Sequence, residues 1–360
     1  MAVTREQVLE ALAHVIDPDS GRSVVESRAV QGLVVRDGHV GFVLEVAPER
    51  GRKAEPLRKA AEDAVNVLPG VLSVSAVLTA HADATAKRPP SQPAPRGVEG
   101  VAAVIAVASG KGGVGKSTVA INLAVGLSRL GLKTGLLDAD IYGPSLPRLL
   151  GTTERPRTRD GKVLEPIEKL GLKAMSIGFI VKEEEPTIWR GPMVMSALTQ
   201  MLADVAWAPL DVLVVDMPPG TGDAQLTMAQ RVPLKGAIIV STPQDLALID
   251  ARKGLAMFRK TQVPILGIVE NMSTFVCPNC GHESHIFGHG GARDTARTLD
   301  VPFLGEIPLV ASIRETSDAG EPIVVRSPAS REAQAFLAIA AQVAEKIKAP
   351  ARQAPAIVME

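Results

Sequence analysis

The sequence predicts an α/β protein, a doubly wound and mostly parallel sheet preceded by a smaller α/β domain. Three observations carry this. From residue 101 onward, short apolar runs alternate with helical patterns, the signature of strands buried on both faces. The first of these runs enters a glycine-rich loop and then an apolar helix. Ahead of it, Pro89, Pro90, Pro93 and Pro95 stand among Ala, Ser and Gln in an extended linker over 81–99. The expected organisation is a small domain over 1–80, the linker, a large domain over 100–349 and a disordered tail over 350–360.

In the small domain, Thr4 and Gln7 form a capping box. Val8, Leu9, Leu12, Val15 and Ile16 follow at helical spacing, and Asp17-Pro18 ends that helix. Gly32–Val35 and Val40–Val46 flank Asp37-Gly38, a hairpin turn. A helix over 55–67 and a strand over 71–78 complete the domain. In the large domain the strand-like runs are Ala102–Ala108, Thr134–Leu137, Leu172–Ile177, Val212–Val215, Ala237–Val240, Pro264–Val269 and Pro302–Leu304.

The loop Gly110-Lys111-Gly112-Gly113-Val114-Gly115-Lys116-Ser117-Thr118 satisfies G-x-x-x-x-G-K-[ST] between a strand and the helix 117–130. Its glycines let the backbone fold around a phosphate with N–H groups pointing inward. The helix start adds partial positive charge. Lys116 reaches the β/γ-phosphates and the Ser117 hydroxyl binds Mg2+. The sheet is therefore expected to be of the P-loop NTPase type. Gly110, Gly112 and Gly115 also satisfy G-x-G-x-x-G, with Asp138 or Asp140 at dinucleotide spacing. A dinucleotide site has no use for Lys-Ser-Thr at the helix start, so a nucleoside triphosphate is the expected ligand.

Bulk properties exclude several classes. With 39 basic and 39 acidic residues there is no global field for nucleic acid. Aromatics at 3% argue against base stacking. No apolar run approaches membrane-spanning length, and residues 1–6 do not read as a targeting segment, so a cytoplasmic location is expected. Two cysteines make no disulfide framework.

Two further segments carry chemistry. Val212–Val215 ends in Asp216, a Walker B pattern that would hold Mg2+ through water, and Met217–Asp223 has the glycines and prolines of a γ-phosphate-sensing switch. Leu136–Asp140 ends another strand with two carboxylates facing the crevice. Both cysteines lie in one C-x-x-C, Cys277 and Cys280, a metal-binding spacing. His282 or His285 could complete a zinc site within one chain. Alternatively, two chains could each give two thiolates to an iron–sulfur cluster. His282, His285 and His289 otherwise read as loop-packing residues.

The phosphate loop, with Lys111 directly after its first glycine, resembles that of the SIMIBI ATPases, which include nitrogenase iron protein and the Min and Par ATPases. That resemblance implies that Lys111 reaches across a homodimer to the partner's nucleotide. Together with Asp138–Ser145, Asp216–Asp223, Val269–Ser273 and Cys277–His282 with His285–Gly288, it is similar to the Mrp/ApbC family of iron–sulfur cluster carrier ATPases over about 101–348. The resemblance implies ATP hydrolysis with Asp140 positioning the attacking water, Asn271 hydrogen-bonding adenine, and a labile 4Fe–4S cluster held between subunits. It also implies a cluster donor and apo iron–sulfur client proteins as partners. Residues 1–80 resemble the small domain often fused to this family, which commonly carries a cysteine after its hairpin; Val46-Ala47-Pro48-Glu49-Arg50 stand there instead. The alternative is a Par- or Min-like positioning ATPase with a structural zinc, but Ala349–Pro355 makes a poor membrane helix and no basic patch stands out.

Overall fold

The computed structural model describes residues 3–27, 29–36, 38–46, 54–80, 97–159, 161–181 and 191–348. Residues 81–96 of the expected linker, the expected tail, Asp37 of the hairpin turn and Ala47–Arg50 lie outside the described residues. The chain divides into two compact units, Met1–Gln92 and Pro93–Glu360, each with its own apolar core.

The first unit contains α1 (Arg5–Ala13), β1 (Val30–Arg36), β2 (His39–Val46), α2 (Glu55–Asn66) and β3 (Ser73–Ala80). The capping box forms: the Thr4 hydroxyl accepts the Gln7 N–H, and the Gln7 side chain accepts the Thr4 N–H. The helix ends at Ala13, short of Asp17-Pro18. Beyond it the backbone turns into a bridge between Ile16 and Ser23, which takes those residues out of helical geometry. β2 is central, antiparallel to β1 and parallel to β3. Its alternation places Val40, Phe42, Leu44 and Val46 on the buried face. There Val40, Phe42 and Leu44 join Val8 and Leu12 of α1 and Leu57, Ala61 and Val65 of α2.

The second unit begins with β4 (Val104–Ala108), α3 (Lys116–Arg129), β5 (Thr134–Asp138) and α4 (Leu146–Leu150). Short strands β6 (Thr158–Arg159), β7 (Val163–Leu164) and β8 (Ile167–Lys169) precede β9 (Leu172–Ser176). Then come α5 (Gly191–Ala203), β10 (Val212–Asp216), α6 (Asp223–Arg231), β11 (Leu234–Ser241) and α7 (Asp245–Lys260). The chain continues through β12 (Ile265–Val276), β13 (Glu283–Ser284), α8 (Gly291–Thr298), β14 (Phe303–Leu309), α9 (Ala311–Asp318), α10 (Ile323–Arg326) and α11 (Arg331–Lys348). Among the described residues no helix is long and apolar enough to cross a membrane.

The large sheet runs β13-β12-β11-β4-β10-β5-β9-β8, with β14 also paired to β12. Its pairings are parallel except at β13 and β8. Every residue of β4, β5 and β10 is buried, so helices cover both faces and the strands read as continuous apolar runs. α3 is buried along most of its length and meets α11 where a Cβ on Gly126 would come within 2.8 Å of the Ala340 Cβ. From β4 the chain crosses to β5, and from β10 it returns across β4 to β11. The order therefore reverses at β4 and β10, and ligand crevices form outside the carboxyl ends of strands at such a point.

Two strands outrun their apolar cores. β12 continues from the expected Pro264–Val269 to Val276, because its outer half pairs with β14 and β13. Asn271 thus lies within the strand, one residue before a left-handed Met272 (φ 57°). β14 likewise extends to Leu309 along β12. The separate antiparallel pair β6–β7 and the antiparallel edge strand β8 go beyond the expected runs; they are two or three residues long, too short for periodicity to register.

Candidate functional site: a phosphate loop and a thiol hairpin

The loop Gly110–Gly115 joins the end of β4 to α3. Gly113 and Gly115 are left-handed (φ 81° and 80°), a conformation glycine adopts without strain. Gly110 is required by a close approach, since a Cβ there would lie 2.1 Å from the Asp250 carbonyl carbon of α7. At Gly115 a Cβ would strike the Asn271 side-chain nitrogen at 2.2 Å. α3 starts at Lys116 with no side chain capping it, so its first N–H groups face the loop unclaimed by any side chain. That leaves an anion site built of backbone and helix dipole.

Lys116 is 7% exposed. Its ammonium donates to Asp216 at the end of β10 and lies 3.3 Å from the Ser117 hydroxyl. The buried carboxylate of Asp216 is thus met by a cation. Burial pushes its pKa up, and Lys116 and Ser117 oppose that. In register, Asp216 sits beside Val107 of β4 and Asp138 of β5, so three strand ends share one level. The loop after β10 is tied back to β4: Met217 N–H donates to Val107 and Gly220 N–H to the Ser109 carbonyl, both at 2.9 Å.

Asp138 and Asp140 divide their work. Asp138 accepts the N–H groups of Asp140, Ser145 and Leu146 and the Ser176 hydroxyl, all within 3.1 Å. It fixes the turn 139–146. Its carboxyl is pushed up to about 7, first by burial and then by the neighbouring Asp216. Asp140 is half-buried, accepts only the Gly143 N–H (3.2 Å) among the described residues, and opens into a crevice of about 1100 Å³ shared with Gly220, Thr221 and Gly222. Lys111 is half-buried and makes no ion pair among the described residues.

Asn271 reaches the phosphate loop from β12, donating its side-chain N–H to the Val114 carbonyl at 2.8 Å. It also lines a cavity of about 450 Å³ bounded by Thr118, Met272, Leu309, Val310 and Ile313, mostly apolar and beside the start of α3.

Cys277 and Cys280 lie on the hairpin between β12 and β13, away from these groups in the fold's connectivity. Cys277 N–H donates to His282 and Gly281 N–H to Cys277, each at 2.9 Å, closing a tight turn. Both thiols are free, Cys277 half-buried and Cys280 exposed. The N–H groups of Cys280 and Asn279 point at the Cys277 sulfur and hold its thiol below the ordinary thiol range, which favours thiolate. Among the described residues no His, Asp or Glu, His282 and His285 included, is grouped with the two cysteines as a third ligand.

Sequence reading missed several supporting groups. Ser176 and Asp138 hold the 139–146 turn, and Gln225 donates to the carbonyls of Pro218 and Pro219. Glu270 is buried and accepts the N–H groups of Gly290 and Ala292, capping α8 from a distant strand. The one local signal was that α8 begins at Gly290-Gly291, with no Ser, Thr or Asp to cap it.

The chain matches the family described as NUBPL iron-transfer P-loop NTPase over residues 100–344, and the family described as iron–sulfur cluster assembly protein over residues 5–76. It is 45% identical to an iron–sulfur cluster carrier protein of Synechocystis, covering 96% of this chain and 98% of that one. It is 53% identical to the mouse iron–sulfur cluster transfer protein NUBPL, over 71% of this chain and 81% of that one. Among solved structures, a nucleotide-binding protein from Archaeoglobus fulgidus in complex with ADP, with cobalt, superposes with a TM-score of 0.58 at 41% identity, covering 67% of this chain and 93% of that one. The cell-division ATPase MinD of Pyrococcus furiosus shares the fold, with a TM-score of 0.51 at 24% identity over 68% of this chain and 99% of that one. With the phosphate loop, the paired strand-end carboxylates and the thiol hairpin in place, the chain belongs to the NUBPL iron-transfer P-loop NTPase family.

Proposed function

We propose that this chain, an iron–sulfur cluster carrier of the P-loop NTPase family, hydrolyses ATP and works as a homodimer. In this reading it holds a labile 4Fe–4S cluster between two copies of Cys277 and Cys280, takes it from a cluster donor and passes it to apo-proteins. One observation carries the dimeric reading: the hairpin presents two thiols, and among the described residues no third ligand is grouped with them. A cubane cluster takes four thiolates, and a two-fold axis through the hairpin brings two pairs together.

The phosphate loop binds the triphosphate through its backbone N–H groups and the start of α3. Ser117 and Asp216 already converge on one cation, the Lys116 ammonium, so they suit Mg2+, which neutralises phosphate charge when bound. Lys116 would exchange Asp216 for the β/γ-phosphates, and Asp216 and Ser117 would then be the residues that hold Mg2+. Asp140 orients the attacking water from the crevice it shares with Gly220–Gly222. Lys111, which makes no ion pair among the described residues, places its charge on the partner copy's nucleotide. Adenine occupies the 450 Å³ cavity. One Asn271 side-chain N–H is held by the Val114 carbonyl, which orients the amide, and its Oδ1 accepts the adenine amino group.

The deciding experiment is anaerobic reconstitution with iron and sulfide, followed by metal counting and mass measurement. One 4Fe–4S cluster per two chains is expected. A colourless protein holding one zinc per monomer would defeat the carrier reading.

A further inference from the structure

We propose that Glu270, His289 and Glu306 form a second metal site, for a divalent transition-metal ion such as Zn2+ or Fe2+, at the foot of the thiol hairpin. The three residues come from separate elements: β12, the loop before α8, and β14. One ligand atom from each lies within 4.8 Å of the other two. Glu270 and Glu306 are paired in register on neighbouring parallel strands, so their side chains stand on the same face. Like charges in that position repel. Arg293 offsets one of them, donating to Glu306 at 3.2 Å, and one negative charge remains.

His289 faces this remainder without bonding to it. Among the described residues its ring makes no hydrogen bond or ion pair, although a ring nitrogen lies within 4.8 Å of both carboxylates. That spacing is too long for a direct imidazolium–carboxylate bond. Three ligands at about 2.1 Å around one ion stand about 3.4–3.6 Å apart, so the cluster must contract by about an ångström or less to close on a metal. His289 is exposed, so a small ring movement closes the difference.

The surroundings have the character of a metal's outer shell. Both oxygens of the buried Glu270 are oriented by backbone N–H groups, those of Gly290 and Ala292 at 3.1 and 2.7 Å. The His285 ring lies against His289 with centroids 4.2 Å apart. One imidazole with two carboxylates suits a borderline divalent ion and leaves coordination positions open to water or an incoming ligand. The site would tie β12 and β14 to the segment running from β13 to α8. Metal occupancy there would stiffen the chain immediately after the cysteines.

The test uses the full chain with Cys277→Ser and Cys280→Ser, which removes the thiols as competing ligands. Titration with Co2+, followed by its visible absorption and by calorimetry, should show one saturable site per chain. Adding His289→Ala or Glu306→Gln should weaken that binding at least tenfold, while His285→Ala should change it less than threefold. Hydrogen exchange of residues 283–290 should slow on adding Co2+ to the thiol-free chain and not in the His289→Ala form. No saturable Co2+ site, or equal binding with and without His289, overturns the proposal. So does a loss of binding that follows His285 instead.

Discussion

At the carboxyl ends of β4, β5 and β10 the buried groups Lys116, Asp216 and Asp138 are held from several sides, whereas at the tip of the β12–β13 hairpin the contacts of the cysteines among the described residues come from their own turn. Lys116 is buried and engaged by Asp216 and Ser117, and Asp138 accepts four donors. Cys280 is exposed, and the contacts around Cys277 come from Cys280, Asn279, Gly281 and His282. The difference teaches what each site is built for. A phosphoryl group must be fixed in geometry and shielded from bulk water, which takes a preorganised, dry crevice. A cargo must arrive and leave, which takes thiolates that are ready to ligate and open to a second protein.

The comparison is broken most completely by removing the thiols. Cys277→Ser or Cys280→Ser should abolish cluster retention after anaerobic reconstitution and leave ATP affinity within about twofold, since additivity holds for separate sites. A parallel loss of ATP binding would show that the two regions are one. Lys116→Ala strikes the other region. ATP affinity should fall roughly tenfold to hundredfold, from the loss of charge-assisted bonds. Turnover should fall on the order of a thousandfold. The substitution also strands Asp216 in the interior, a loss of about 3–5 kcal/mol in denaturant unfolding near pH 8. That loss should shrink at lower pH, where the carboxyl takes up a proton. Unchanged stability would mean that the Lys116–Asp216 contact is not what holds the crevice.

Lys111→Ala tests the crevice side chain that makes no ion pair among the described residues. Turnover should drop on the order of a hundredfold while ATP affinity stays nearly constant, because its target is the partner's nucleotide. Binding and turnover measured together decide this; equal losses in both remove the role in trans.

A smaller effect is expected from Asp138. With its carboxyl pushed up to about 7, the folded chain keeps a proton there that the unfolded chain releases near pH 4. The folded state binds more protons across that window, so this group makes stability fall as pH rises from about 4 through about 7. Urea midpoints of the wild type and Asp138→Asn at pH 5.5 and pH 8 isolate the contribution. The wild type should lose more stability between those two values than the variant does. Equal slopes would mean that Asp138 stays ionised under its four donors.

Much of the phosphate site was legible in the sequence because its chemistry is local. Gly110–Thr118 is one continuous segment, and Asp216 follows an unbroken apolar run that could only be a buried strand. Asn271 was legible as a residue but not in its packing. Its bond to the Val114 carbonyl joins positions far apart in sequence and depends on the spacing between β12 and the loop, which no periodicity encodes. The same holds for Ser176 on Asp138 and Glu270 on α8, contacts between elements that only tertiary packing brings together. The cysteine pair was legible, but the choice between zinc and a shared cluster was not. It turns on whether His282 or His285 comes onto the thiols, a contact between side chains that the spacing of the motif does not encode; among the described residues neither is grouped with them.

The gentlest way to sharpen the comparison is to remove residues 1–96. Both regions contrasted above lie after Val101, within a unit whose apolar core runs from Val104 to Ala344 and includes no residue of the first unit. The first unit has its own sheet, with Phe42 and Leu44 packed among Val8, Leu12, Leu57 and Val65. A chain beginning at Gly97 should therefore fold, bind ATP and retain the reconstituted cluster, each within about twofold of the full chain, as separate domains generally allow. Limited proteolysis of the full chain should release the same fragment by cutting within 81–96. If the shortened chain bound ATP normally but lost the cluster, the first unit would have to be part of the thiol site. The contrast between a gripped nucleotide and a loosely held cargo would then have to include a third party.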